Sequence, residues 1–538
     1  MTSTTAVQQR REPIGKTHRQ CPICDSSHLE YEFVVDKSPV CGCQACGLLF
    51  LNPQPGISSA KPFISPPEPD NLTGVYEANA RERVARLVAY SGVHSGKLLL
   101  VGADAHLEAE FKKQNFEVVH YLVDAFESAL GVELSGAFDA CVFFCALERM
   151  RNPLAVLRGV RGVLKQNGAL MVVSPTTDSR TARLFRSSWW EFNRMNLFYF
   201  SVDTLQNLLI RAGFGDPMIA PDRNLVSLNY LQRRLQANPS ALRHYRLLRG
   251  ITSFSPVLRD RAFRLFYGRT QFLVRAKTIH PKPLLSVIVA VYNERATFVE
   301  LIERLLAKSI ENIDIEVIIV ESNSTDGTRD YVLRYKNNPQ VRLILEEKPM
   351  GKGHAVRMGL KAAKGDIVLF QDADLEYDIN DYDALVAPLL RFQTNFVLGS
   401  RHSAGKDSWK IRHFSDSPGL SVFFNFGHIL FLTLFNLLYS QRLGDPFTMY
   451  KVFRRECLFG LTFECNRFDF DFEVVIKLLR KGYKPLELPV NYKSRSIKEG
   501  KKVSTFRDPL TWLRALIKFR NSPLYSNRQP GEVGGGTE

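Results

Sequence analysis

Two groups of side chains in this 538-residue chain are spaced for chemistry. The first is acidic. The stretch "IVLFQDADLEYD", residues 367–378, sets Asp372, Asp374, Glu376 and Asp378 on a short turn after an apolar run. Carboxylates this close repel one another unless a cation or solvent screens them. Two clustered acids suit Mg2+ or Mn2+, which keeps coordination positions open for substrate phosphates. The plainer alternative is a solvated turn after a strand. The second group is sulfur. Cys21-x-x-Cys24 and Cys43-x-x-Cys46 are separated by 18 residues, the spacing of a four-thiolate zinc site. A closed site of four thiolates leaves no position for substrate, so a structural role is expected, with Cys41 as a bystander.

The acidic turn is preceded by elements that could build a site around it. "SVIVAVYNE" reads as a strand ending at Tyr292, Asn293 and Glu294. "VIIVESNSTDGT" reads as a second strand ending in Glu321, with Ser324, Thr325 and Asp326 available to cap a helix. "KPMGKGHAVRMGLKAAKGD" opens a helix with a glycine-flanked lysine, Lys352. Strand C-termini converging on one edge of an open sheet form a nucleotide crevice. A sugar nucleotide there needs a divalent cation to bridge its pyrophosphate and to neutralise the leaving diphosphate. Asp372 and Asp374, two apart, share one face of an extended strand, and a turn can aim Glu376 with them.

Taken together, "VYNE", "STDGT", "GKGHA", "DADLE" and "GSR" resemble family 2 glycosyltransferases of the GT-A fold over about residues 284–505. The resemblance is nearest to the polyprenyl-phosphate branch that includes dolichol-phosphate mannosyltransferase. "LGDPFTMYKVFRRE" and "LELPVNYKSRSIKEGKKV" look like that branch's C-terminal motifs. The resemblance implies nucleotide contacts from Tyr292, Glu294, Glu321, Lys352 and Asp372, and a metal at Asp372, Asp374 and Glu376. It implies phosphate contacts from Arg401, Arg412, Arg495 and Lys501, with Asp372, Asp374, Arg401 and Arg495 as the catalytic set. Three departures stand out: Ala290 for a common proline, Glu321-Ser322 for an acidic pair, and Glu376 for a common glutamine. The implied substrates are a nucleotide-sugar donor and a polyprenyl-phosphate acceptor. A lipid phosphate is already ionised, so the acceptor needs no general base. A hydroxyl acceptor on a soluble sugar or glycan is the alternative within enzymes. A binding protein with both nucleotide sites inactive is the alternative outside them.

A second resemblance covers about residues 20–280. The zinc knuckles, "CGLLFLNPQP" and "FDACVFFCALERMRNPLAVLRGVRGVLKQNGALMVVSP" look like class I S-adenosylmethionine-dependent methyltransferases of the sugar-methylating type. That family's cofactor loop needs an acid at the first strand's end and glycines after it. Here "LLLVGADAH" has Leu100 for the acid, and Asp104 and His106 where glycines belong. Gly102 and Asp124 would remain as cofactor contacts. The expectation is a retained fold with a degenerate S-adenosylmethionine site.

The whole chain reads as α/β. A zinc ribbon at 18–56 precedes two doubly wound, Rossmann-like domains: a methyltransferase-like one at 75–280 and a GT-A one at 283–520. A basic helical insertion is expected at about 225–270. The formal net charge of +16 suits an anionic partner. The basic residues are dispersed without a stacking platform, which speaks against nucleic acid. The start, "MTSTTAVQQRRE", has no apolar signal core, and nine cysteines fit a reducing compartment, so a cytoplasmic protein is expected. "GLSVFFNFGHILFLTLFNLLY", residues 419–439, carries Asn425, His428 and Asn436 and is expected to lie at an anionic membrane surface rather than cross it.

Overall fold

The computed structural model describes residues 16–56, 73–102, 104–130, 137–229, 262–277, 282–402, 418–494 and 507–525, with single positions between 232 and 250. It divides into two compact units, one running to Lys277 and one spanning Thr278–Arg528.

The first unit begins with β1 (Leu29–Val35), β2 (Ser38–Cys43) and β3 (Leu49–Leu51). It continues through α1 (Thr73–Ser91), β4 (Gly96–Val101), α2 (Ala105–Lys113), β5 (Phe116–Tyr121), α3 (Val123–Ala129) and β6 (Phe138–Phe144). Next come α4 (Pro153–Val163), β7 (Leu164–Pro175), α5 (Arg180–Phe185), β8 (Phe198–Tyr199), α6 (Val202–Arg211), β9 (Phe214–Ser227) and β10 (Ala262–Ala276). The small sheet has the order β1-β2-β3-β8, so its last strand comes from well beyond the cysteine module.

The larger sheet of this unit has the order β5-β4-β6-β7-β10-β9. Its first four strands are parallel, and the apolar runs of β4 and β6 are buried, as strands covered on both faces require. β10 departs from the expected parallel pattern, running antiparallel to both β7 and β9. Ser227 lies opposite Ala262, so the chain returns at the edge it left and must reverse direction. The expected helical insertion is strand at both ends, while its described middle positions, 228, 229, 232, 236, 245, 246, 249 and 250, are helical.

The second unit runs β11 (Leu284–Val291), α7 (Phe298–Ala307), β12 (Asp314–Glu321), α8 (Thr328–Leu333), β13 (Val341–Leu345), α9 (Lys352–Ala362) and β14 (Ile367–Asp372). It continues with α10 (Tyr382–Leu390), β15 (Phe396–Ser400), α11 (Pro418–Tyr439), β16 (Lys451–Arg454), α12 (Phe470–Lys481), β17 (Leu486–Pro489) and α13 (Arg507–Asn521). The sheet order is β13-β12-β11-β14-β16-β15-β17. The first four strands are parallel and β16 is antiparallel to both of its neighbours. α11 covers the stretch expected at a membrane surface. Phe435 faces inward, whereas Phe426, Leu430 and Leu437 are exposed. α13 packs beside it through Phe431 and Trp512 and exposes Leu510 and Ile517. Among the described residues no helix is long and apolar enough to cross a membrane.

Candidate functional site

In the second unit four strand ends reach one edge at the same level. Ala290 lies opposite Asp372, Val291 opposite Glu321, and Glu321 opposite Leu345. The turns beyond them are tied to one another. Asn293, at φ 50°, receives the Thr325 backbone N–H at 2.8 Å, and its own N–H meets the Ser324 hydroxyl at 2.9 Å. The Glu294 N–H donates to the Thr328 hydroxyl at 3.0 Å. Thr297 reaches across to the carbonyl of Ala373 at 2.7 Å. The "VYNE", "STDGT" and "DAD" segments thus form one hydrogen-bonded rim, with Tyr292 and Glu294 half-buried on it.

Asp372 is the last residue of β14. Its two carboxylate oxygens lie 2.7 and 3.0 Å from the ammonium of Lys352, the first residue of α9. Burial works against a charged Lys352. Asp372, with Asp471 and Asp374 behind it, more than offsets that and holds its pKa above the usual lysine value. Asp374 accepts the Glu376 N–H at 3.2 Å across a turn in which Leu375 has φ 56°. Glu376 is drawn elsewhere, accepting a 2.9 Å bond from the Tyr492 hydroxyl. Burial and then the Glu376 charge push that hydroxyl's pKa up, so it stays a donor.

Of the three carboxylates expected at a metal, Asp372 meets Lys352 and Glu376 meets Tyr492. Among the described residues, Cys21, Cys24, Cys43 and Cys46 are the one group of three or more such ligands whose atoms lie within 4.8 Å of one another. Asp372, Asp374 and Glu376 do not meet that spacing in this structure. Asp372 and Asp374 remain a two-carboxylate set, which fits Mg2+ or Mn2+ that completes its shell with substrate phosphates and water.

A family model described as glycosyl transferase family 2 matches residues 286–459. The C-terminal unit holds a family 2 glycosyltransferase domain. A dolichol-phosphate mannosyltransferase of Pyrococcus furiosus is 26% identical over 239 residues, 44% of this chain and 64% of that protein. A dolichyl-phosphate beta-glucosyltransferase of Trichomonas vaginalis is 30% identical over 221 residues, 39% of this chain and 65% of its own length. The chain thus spans just under two thirds of the length of these curated relatives. Among solved structures, glucosyl-3-phosphoglycerate synthase from Mycobacterium tuberculosis, in complex with Mn2+, UDP-glucose and phosphoglyceric acid, aligns at 20% identity. That alignment covers 45% of this chain and 81% of that one, with a TM-score of 0.34. A model described as a methyltransferase domain matches residues 73–216.

Two residues expected to touch ligand in the glycosyltransferase domain are engaged by the protein itself. Arg401 donates to both oxygens of Asp445, each at 2.8 Å, and its backbone N–H adds a third bond at 3.0 Å. Asp445 is fully buried, so this pair anchors the end of β15. Glu321 is also fully buried. One oxygen takes the Ser324 N–H at 2.6 Å and the other takes Arg329, which fixes the turn after β12. Arg412, Arg495 and Lys501 lie outside the described residues.

Other residues of the domain were not singled out from sequence. Glu346 follows β13 and binds the Ser322 hydroxyl at 2.6 Å and His354 at 2.5 Å, putting a carboxylate beside the position where the family's second acid is missing. Asp471 opens α12 and pairs with buried Lys451 at 3.0 Å. The acids of "RFDFDFE" were the available signal for Asp471; nothing local marks Glu346.

In the first unit the four cysteines come together as their spacing predicts. Cys21 and Cys46 sulfurs are 3.5 Å apart, Cys24 and Cys43 sulfurs 3.6 Å, and all four are buried. Gly47 (φ 77°) closes the second knuckle by donating to the Cys43 carbonyl at 2.8 Å. Four thiolates at tetrahedral spacing fit Zn2+. Elemental analysis should find about one zinc per chain, the stoichiometry of a closed four-thiolate site; a metal-free folded protein would contradict the assignment.

The turn after β4, expected as a cofactor loop, carries Gly102 and Asp104. A Cβ on Gly102 (φ 116°) would collide with the Phe144 carbonyl, so only glycine fits there. Asp104 caps α2 by accepting the Leu107 N–H at 2.9 Å. It also faces the Arg83 guanidinium at 3.5 Å. Arg83 in turn binds buried Asp222 at 2.9 and 3.1 Å and lies over the Phe144 ring. Burial raises the Asp222 pKa, but Arg83 outweighs it and holds the value down to about 2. Asp124 is exposed in the first turn of α3, three residues past the end of β5 rather than at the strand end.

Proposed function

We propose that the chain transfers a sugar from a nucleotide-sugar to a polyprenyl phosphate, with inversion at the anomeric carbon. The observation that carries this reading is the level alignment of Asp372 with the rim formed by Tyr292, Glu294 and the Thr325 turn. The named activities of the dolichol-phosphate relatives point the same way. Asp372 and Asp374 would hold Mg2+ or Mn2+, which when bound neutralises charge on the leaving diphosphate. Tyr292 and Glu294 line the side where base and ribose would lie. The bond from the anomeric carbon to the diphosphate oxygen breaks with its electron pair on the diphosphate. An acceptor phosphate oxygen forms the new bond from the opposite face, and no proton has to leave. Arg412, Arg495 and Lys501 supply the cations that align the two anions.

Asp471 supports a second reading. A carboxylate whose charge is felt at Lys352 could serve as the base that a hydroxyl acceptor requires. The test presents a panel of sugar nucleotides with Mn2+ or Mg2+ to a short polyprenyl phosphate in anionic vesicles, and in parallel to free sugars. Sugar-phosphate-lipid product is expected, and product on free sugars alone would favour the second reading. The exposed apolar residues of α11 and α13 support contact with the vesicle surface, and the protein should float with it.

The methyltransferase domain acts as a scaffold on this reading, supported by the Asp104–Arg83 pair in its cofactor loop. Calorimetric titration with S-adenosylmethionine should give no micromolar binding; a micromolar isotherm would overturn the scaffold role.

A further inference from the structure

Lys352 is placed too deliberately for a surface lysine. Gly351 has φ 104°, and a Cβ there would collide with the Asn466 carbonyl. A Cβ on Gly353 would strike Phe470 and the carbonyl of Arg467. The His354 N–H donates to the Asn466 carbonyl at 3.1 Å, and Arg357 donates to that of Phe463 at 2.7 Å. Two glycines thus let the start of α9 seat directly on the segment from Phe463 to Phe470. The lysine between them lies with its ammonium 5.6 Å from the centre of the Phe468 ring and grips both oxygens of Asp372. Asp471, held by buried Lys451, adds negative charge that favours the same ammonium.

The acidic turn therefore carries its own cation. A divalent ion at Asp372 has to share that carboxylate with the ammonium, and two cations side by side repel. A nucleoside diphosphate changes the balance, because its phosphates offer Lys352 another anion as they offer the metal further ligands. We propose that Lys352 is a displaceable internal counter-ion that makes metal binding conditional on the nucleotide. The proposal rests on the metal reading of Asp372 and Asp374 given above. Linkage makes the effect reciprocal: the nucleotide raises metal affinity by the factor by which the metal raises nucleotide affinity.

The test is a Mn2+ titration followed by electron paramagnetic resonance, on the full chain, with and without saturating UDP or GDP. The wild type should bind Mn2+ weakly alone and about 5–150-fold more tightly with the diphosphate, the usual span of such couplings. K352Q should bind Mn2+ alone more tightly than the wild type, and its coupling factor should fall toward one. K352R, which keeps the charge, should keep the coupling, and circular dichroism checks that each variant is folded. Nucleotide-free Mn2+ affinity left unchanged by K352Q overturns the proposal. So does wild-type Mn2+ binding that is equally tight with and without nucleotide, and if D374A abolishes that binding the metal reading itself survives. Wild-type protein that takes no Mn2+ in either condition removes the metal reading and the counter-ion with it.

Discussion

Asp374→Ala abolishes sugar transfer and leaves the chain folded. Asp374 is half-buried, and among its bonds is one to the Glu376 N–H at 3.2 Å, so truncation disturbs little of the core. Substitutions of that kind change stability by about 0.5 kcal/mol or less. The chemical loss is much larger. A metal that stabilises a leaving diphosphate contributes several kcal/mol, and about 4 kcal/mol is a thousandfold in rate. Asp372→Ala is a poorer experiment, because it also strands Lys352 beside an empty position. Turnover of D374A is compared with wild type at saturating Mn2+, beside a thermal melt of each. Retained activity in a folded D374A protein sinks the metal role of the acidic turn.

The second large effect is on stability. Asp445→Ala leaves the Arg401 guanidinium buried without its carboxylate, which costs about 3–5 kcal/mol. Burial works against a charged Asp445, but Arg401 outweighs it and holds its pKa well below the usual carboxylate range. The depressed value means the pair stabilises the fold at any pH above about 4, the unfolded carboxylate value. That contribution is lost as pH falls through the lower, folded value. D445A should therefore unfold at lower denaturant concentration near neutrality, and the difference from wild type should shrink only in strong acid. Were Arg401 chiefly a phosphate ligand, D445A would shift substrate KM while leaving the denaturation midpoint in place.

Arg401 escapes a reading from sequence for a physical reason. The strands were legible because burial on two faces demands runs such as "VIIV" and "IVLF", and that demand is local. The zinc ligands were legible because a knuckle fixes its own spacing. Ion-pair partners obey no such rule. Arg401 and Asp445 are 44 positions apart, and Glu376 and Tyr492 are 116 apart. Only the folded sheet decides that a guanidinium faces a carboxylate or that a carboxylate faces a phenol. The antiparallel insertion of β16 between β14 and β15 was hidden for a related reason. A short buried strand such as "KVFR" looks the same in either direction.

The small sheet around the cysteines carries a consequence for how this chain can be divided. Its β3 edge is closed by β8, with Leu49 opposite Tyr199 and Phe50 opposite Phe198. Arg211 reaches back to the Ile23 carbonyl and Asp25 beside the first knuckle. A cut in the linker after residue 56 would leave an open strand edge on the metal-bearing fragment and strip the aromatic ring of Phe198 of its neighbour Phe50. The cysteine module and the methyltransferase domain are then not a tag and its cargo but one folding piece. Any fragment meant to stand alone has to carry both, and to run through β10 at Ala276, which with β9 completes the larger sheet.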